Sequence, residues 1–333
     1  LRQTVADACP GDTIRFDPAL LTAAVDSISL DTEIAFNKVL TFKGLYTATD
    51  TLFISGANSS RIFFIYNTTS KVVLDSMVLI NGYLSSDVGA AIQSFNAPLN
   101  IINSTISNNN IAATNGEGAG VYMFGDSLEI INTTIKNNLI TGNNIKGAGI
   151  SVIFGFLIVE NSTIHNNILS GGGASGAGIN VAFGKTYINN ATIANNLSNG
   201  DGDGIDMYQD SAYINNSTIV NSLGGSGTEI GAAGGCFLAV TSSIIVGQSI
   251  NFSLNLFSAT DTLVSNGYNL FGNDPTGFVT TDQPFTTIAQ LNLGALANNG
   301  GITPTMLPLC GSVAIDKGNP ADNSNAQTGD ISG

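Results

Sequence analysis

Along most of the chain, apolar and polar residues alternate in short runs such as Leu128-Glu129-Ile130-Ile131, Thr134-Ile135-Lys136 and Gly149-Ile150-Ser151-Val152, separated by Asn and Gly. A period of two marks half-buried strands, and the body nowhere shows the i, i+3, i+4, i+7 spacing of an amphipathic helix. The exception is the start, where Leu1, Val5 and Ala8 share one helical face before Pro10-Gly11 ends it. That segment is predicted to be a short helix capping the first coil.

The strand-like runs recur. Asn103-Ser104-Thr105-Ile106 returns as Asn132-Thr133-Thr134-Ile135, Asn161-Ser162-Thr163-Ile164, Asn190-Ala191-Thr192-Ile193 and Asn216-Ser217-Thr218-Ile219, at steps of 29, 29, 29 and 26. A second column, Gly118-Ala119-Gly120-Val121, returns as Gly147-Ala148-Gly149-Ile150, Gly176-Ala177-Gly178-Ile179 and Gly202-Asp203-Gly204-Ile205. From the apolar residue of that column to the next Ile is always 14 residues, while the other half is 15, 15, 15 and then 12. All length variation therefore sits in one loop. Three strands per turn of 26 to 29 residues predict an all-β, right-handed parallel β-helix; a propeller blade needs about 40 residues and a leucine-rich repeat has another Leu pattern. Coils stacked about 4.8 Å apart place Ile on Ile inside and Asn on Asn at the turns, where side-chain amides can bond along the stack.

One domain over residues 1–333 is expected: cap and first strand in 1–20, irregular early coils in 21–70, regular coils in 71–247, and irregular last coils with a tail in 248–333. The loops 108–118, 137–147 and 166–176 are expected to protrude irregularly from one side. Without an initiator Met, the chain reads as a piece of a larger one.

Composition narrows the partners. Asp+Glu 24 against Lys+Arg 10 gives a net charge of -14, which repels nucleic acid and favours solubility. The longest nearly uncharged apolar stretch, residues 150–159, is about half of the ~20 a bilayer-spanning helix requires. Cys9, Cys236 and Cys310 allow at most one intrachain disulfide, and pairing Cys9 with Cys310 across about ten coils would need the tail to fold back.

The opening Leu1-Arg2-Gln3 … Ala8-Cys9-Pro10-Gly11-Asp12-Thr13-Ile14-Arg15-Phe16, the Asn-Ser-Thr-Ile and Gly-x-Gly coils, and the closing Gly311-Ser312-Val313-Ala314-Ile315-Asp316-Lys317-Gly318 resemble, in order, the secreted bacterial β-helix proteins grouped as choice-of-anchor Q domains. These are related to polymorphic outer-membrane repeats, and the first third is most similar to Bacteroidota members. Val313 stands where that family usually has proline, and its closing Asp-Ile-Gly-Ala segment is not in this chain. The resemblance implies a secreted, cell-surface location and contact with secretion or anchoring machinery, without implying a reaction.

Parallel β-helices also host polysaccharide lyases and hydrolases, so catalysis must be argued from a site. A uronate lyase needs cations to hold the carboxylate and a base to take the α-proton. No arginine follows Arg61, and after Lys71 the regular coils hold only Lys136, Lys146 and Lys185. The sole histidine, His165, shares a column with Ser107, Lys136, Ala194 and Val220, a mixture expected of a solvated outward position. The segment 200–207 resembles the Asn-Thr-Asp-Gly-Ile-Asp stretch of polygalacturonases, but their Asp-Asp, Gly-His-Gly and Arg-Ile-Lys have no counterparts. Asp203 and Asp206 are the candidate carboxylate pair of a hydrolase. With Asp201 and Asp210 they form a candidate Ca²⁺ site, although no cofactor is required. Tyr122, Phe124 and Tyr208 are candidate sugar-stacking platforms.

The ten Asn-x-Ser/Thr sequons follow from the repeat. The stacked Thr105, Thr134, Thr163, Thr192 and Thr218 form a ladder of the kind that binds ice in other solenoids, and Thr is also simply good strand chemistry. The favoured expectation is a non-catalytic surface β-helix, an adhesin, passenger or stalk segment contacting an extracellular glycan or protein surface. A polysaccharide-active enzyme is the alternative, and ice binding a minor one.

Overall fold

The computed structural model describes residues 1–22, 25–45, 50–200, 202–220, 228–248, 254–274 and 276–320. They form a right-handed parallel β-helix. Three parallel sheets run its length: sheet I from Thr13–Arg15 to Thr262–Ser265 with ten strands, sheet II from Val25–Ser29 to Leu270–Phe271 with ten, and sheet III from Ile34–Phe36 to Leu254–Leu256 with nine. One coil passes from sheet III through sheet I to sheet II, as in Val121–Phe124, Ser127–Ile131 and Thr134–Lys136. Register is strict, with Ile106, Ile135, Ile164, Ile193, Ile219 and Ile245 in successive alignment. All six are fully buried, each contributing on the order of 1.5–3 kcal/mol of hydrophobic stabilisation.

Corner chemistry follows the Asn columns. Asn103, Asn132, Asn161, Asn190 and Asn216 all adopt left-handed backbone, φ 47–52°, which asparagine tolerates. Behind the next corner the amides of Asn109, Asn138, Asn167 and Asn196 are buried and bond in series, Nδ2 to Oδ1, at 2.9, 2.9 and 3.0 Å. This is the expected amide ladder. The helix Arg2–Asp7 covers the first coil, with Val5 only 2% exposed.

Three expectations need correction. The loops expected to be irregular build a fourth parallel sheet, sheet IV, from Tyr83–Leu84, Asn110–Ala112, Leu139–Thr141 and Ile168–Ser170. It has its own core of Ile111, Ile140 and Leu169 over Ala119, Ala148 and Ala177, so the small column is where two layers approach. The parallel register also does not end near residue 247: Leu254–Leu256, Thr262–Ser265 and Leu270–Phe271 continue all three sheets.

His165 is the third. Its column is as aligned in the sequence, yet His165 is buried. The C-terminal segment folds back along the outside of sheet II. Its two arms bridge antiparallel at Leu293 with Pro308 and Ala297 with Thr305, Leu291, Leu293 and Met306 pack on Ala194, Val220 and Val246, and its tip reaches the coil of Thr163. There Thr163 Oγ1 donates to the Pro304 carbonyl at 2.6 Å and Thr303 Oγ1 to that of Asn161 at 3.1 Å. The Thr ladder is in register, but Thr163 and Thr192 are buried. The tail does fold back; even so, Cys9 and Cys310 are exposed and free, and Cys236 is buried and free.

Candidate functional site

The acidic segment divides by position. Asp203 lies in the turn before strand Ile205–Tyr208, is fully buried, and accepts from Ser198 N at 2.6 Å while its own N–H donates to Thr228 O at 2.7 Å. This coil has the shortened loop and no strand in sheet IV. The carboxylate thus ties down loop backbone that the neighbouring sheet strands secure in earlier coils. Asp206 sits instead on the outer face of sheet III, half-buried between Asn180 and Gly231. A side chain at Gly231 would come within 3.1 Å of its Oδ1.

Asp210 lies at the corner beyond the strand, buried, with its carboxyl pushed up to about 6 by desolvation. Asp201 lies outside the described residues. Among the described residues no three His, Cys, Asp or Glu side chains are grouped as ligands of one metal ion. Nor is any helix among them long and apolar enough to cross a membrane.

Tyr122 and Asp206 share one outward column of sheet III with Ser151 and Asn180. That column is roofed. Ser151 and Asn180 are buried, Asn180 Nδ2 donates to Ser151 Oγ at 3.0 Å, and Ser151 Oγ donates to Glu117 Oε2 at 2.9 Å. Burial holds the Glu117 carboxyl above the usual carboxylate range. Burial, then the Glu117 and Asp87 carboxylates, push the Tyr122 phenol up to about 12. Tyr122 is therefore walled in by acidic groups.

Phe124 and Tyr208 belong to another feature. At the corner between sheets III and I, the rings of Phe95, Phe124, Phe154, Phe183 and Tyr208 form one file, with centroids 5.2, 5.6, 4.7 and 5.3 Å apart. Parallel and perpendicular contacts alternate along it, at interplanar angles of 7°, 75°, 14° and 80°. Phe95, Phe154, Phe183 and Tyr208 are 37%, 54%, 40% and 42% exposed.

The file crosses the register. Phe124 pairs with Ile153, not Phe154, so Phe154 and Phe183 occupy the left-handed corner position filled in other coils by Asn96, Gly125, Gln209 and Gly234. At φ 55° and 59° two bulky residues adopt backbone that Asn or Gly adopts far more readily. Alignment by strand pairs Phe95 with Phe124 but hides Phe154 and Phe183. The signal that reveals them is the recurrent Phe-Gly doublet at Phe124-Gly125, Phe154-Gly155 and Phe183-Gly184.

Beside this corner, on the outer face of sheet I, Tyr187, Tyr213 and Phe237 form a second short file at 5.2 and 5.7 Å. Lys185 Nζ lies 5.0 and 4.8 Å from the two tyrosine centroids, held by the ring quadrupoles. The more than half-exposed Phe156 pairs in register with Lys185 on the same face of sheet I.

No protein-family model, no curated protein and no solved structure matches the chain. The functional reading rests on the geometry of the site.

Proposed function

We propose that this chain is a non-catalytic β-helical segment of a secreted bacterial cell-surface protein, an adhesin, passenger or stalk, which binds an extracellular ligand along its aromatic corner. The observation that carries the reading is the pair Phe154 and Phe183, exposed to solvent on left-handed backbone. Both features cost free energy, and strain of this kind concentrates where contact with a ligand is selected. The apolar outer face of sheet II is covered by the chain's own tail, while among the described residues the aromatic corner keeps Phe95, Phe154, Phe183 and Tyr208 exposed.

The enzymatic reading asks Asp203 and Asp206 to act together. Asp203 is fully buried and engaged with loop backbone inside a turn, whereas Asp206 stands half-buried on the outer face of the following strand. The purified chain is expected to release no products from a panel of neutral and acidic glycans. Turnover that disappears in both Asp203→Asn and Asp206→Asn would replace this proposal with a polysaccharide-active enzyme.

A further inference from the structure

The geometry points to a ligand class for the aromatic corner: an extended, uncharged polysaccharide chain lying parallel to the long axis of the rod. This inference rests on the reading of the corner as a binding surface.

Shape is the first argument. The file runs along the rod, one ring per coil, over a path of about 21 Å in centroid steps of 5.2, 5.6, 4.7 and 5.3 Å. Parallel coils repeat about every 4.8 Å, close to one ring width, and an extended pyranose chain also advances by about one ring per sugar. A linear polymer can therefore meet successive aromatics without changing direction. The C–H faces of pyranoses are apolar and their rims carry hydroxyls, which suits aromatic rings flanked by neutral polar groups. Those groups are present: Asn96 and Gln209 are exposed at the corner itself, and Ser127 and Ser211 are half-buried at the edge of sheet I beside it.

Charge is the second argument, and it selects against the other occupants. The chain carries a net charge of -14, and the cation beside the corner, Lys185, lies over Tyr187 and Tyr213. Asp126 and Asp210 stand at the same corner. A uronate polymer or an anionic lipid surface would meet repulsion with no compensating cluster of bases. A second copy of the chain would bring another -14 with it. An uncharged glycan meets neither obstacle.

The test is affinity electrophoresis of the intact chain through native gels containing a neutral soluble glycan (hydroxyethylcellulose, glucomannan or xyloglucan) or an anionic one (polygalacturonate, alginate). Sedimentation of the chain alone is measured in parallel. Three proteins are compared: wild type, the double variant Phe154→Asn/Phe183→Asn, and Tyr83→Phe, which alters an aromatic of sheet IV outside the file. Far-UV circular dichroism verifies that each is folded. Retardation is expected in at least one neutral gel, unaffected by 0.5 M salt (~4 Å screening length), at least tenfold weaker in the double variant and unchanged in Tyr83→Phe.

Retardation confined to anionic gels, or abolished by salt, would overturn the ligand class while leaving the corner as a binding surface. So would concentration-dependent dimerisation lost in the double variant. Retardation equal in wild type and double variant would overturn both the ligand class and the binding surface. No retardation in any gel, with a monomeric chain, would overturn the ligand class.

Discussion

At the residue level the fold turns on which side chains accept left-handed backbone. Asparagine does so readily, and the corners at Asn103, Asn132, Asn161, Asn190 and Asn216 are built from it. A left-handed residue other than Gly or Asn costs roughly 1–2 kcal/mol, and the contacts of these two rings with Phe124, with each other and with Tyr208 return about 0.5–1.5 kcal/mol each. The Phe154→Asn/Phe183→Asn variant is therefore expected to be about as stable as wild type in urea unfolding. A loss beyond about 1 kcal/mol would mean that these rings serve the fold rather than a ligand.

Asp210 makes a second residue-level prediction. Its carboxyl is raised from 3.8 to about 6, so the folded state holds the proton more tightly than the unfolded one. Its contribution to stability is complete below about pH 4 and is lost as pH rises through 6. Asp210→Asn should thus be neutral near pH 4 and stabilising by about 2 kcal/mol near pH 7; an equal effect at both pH values would contradict the burial argument. The Asn corners were legible in the sequence because their chemistry is local. Phe154 and Phe183 were not, because strand alignment places them opposite Gly125 and Gln209 rather than Phe124 and Tyr208.

Among elements, the returning C-terminal segment is the one whose position no local pattern announced. The mixed column of Ser107, Lys136, His165, Ala194 and Val220 looks solvated on polarity, and the tail segment that covers the neighbouring Thr163 lies 141 residues further along the chain. Sheet IV was hidden for a related reason: its strands are three residues long or shorter, and only stacking makes them strands. The Ala column and its single Asp did register the layer in sequence, as a small residue wherever sheet IV packs and a carboxylate where it has ended.

Burial under the tail has a measurable consequence at His165. Desolvation first, then the Lys136 charge, lower its pKa from 6.5 to about 4. The folded state thus resists protonation. The stability this provides is complete above about pH 6.5 and falls as pH drops toward 4. Apolar Ala194 and Val220 occupy the same column, so His165→Val should fit beneath the tail. It is expected to lessen the loss of unfolding free energy between pH 7.5 and 4.5 by about 2 kcal/mol. Identical pH profiles for variant and wild type would show that the imidazole is hydrated in solution and the tail open there.

For the whole molecule the governing fact is that the backbone ladder of each coil runs to the coils on either side, the returning tail across sheet II being the exception. Stability is then close to a sum of coil and interface contributions, and the two ends are open sheet edges. At the N-terminal end the helix Arg2–Asp7 lays Val5 into the continuous core. Lys38 holds it there, Nζ donating to the carbonyls of Val5, Ala6 and Ala8 at 3.2, 2.6 and 2.8 Å. Arg2 ties the same helix to the carbonyls of Thr32 and Glu33, both at 2.5 Å.

Damage here and damage in mid-rod should therefore read differently. Val5→Asp or Lys38→Ala frees the cap and exposes the edge strands Thr13–Arg15 and Ile34–Phe36. The rod should then associate end to end, with a rise in light scattering and little change in melting temperature. Ile135→Ala, a fully buried position between Ile106 and Ile164, leaves the ends covered and removes about 2–5 kcal/mol from one interior coil. It should lower the melting temperature without promoting association. If Lys38→Ala instead lowers melting as Ile135→Ala does and stays monomeric, the helix is part of the cooperative core and the first coil's edge is protected by something other than its cap.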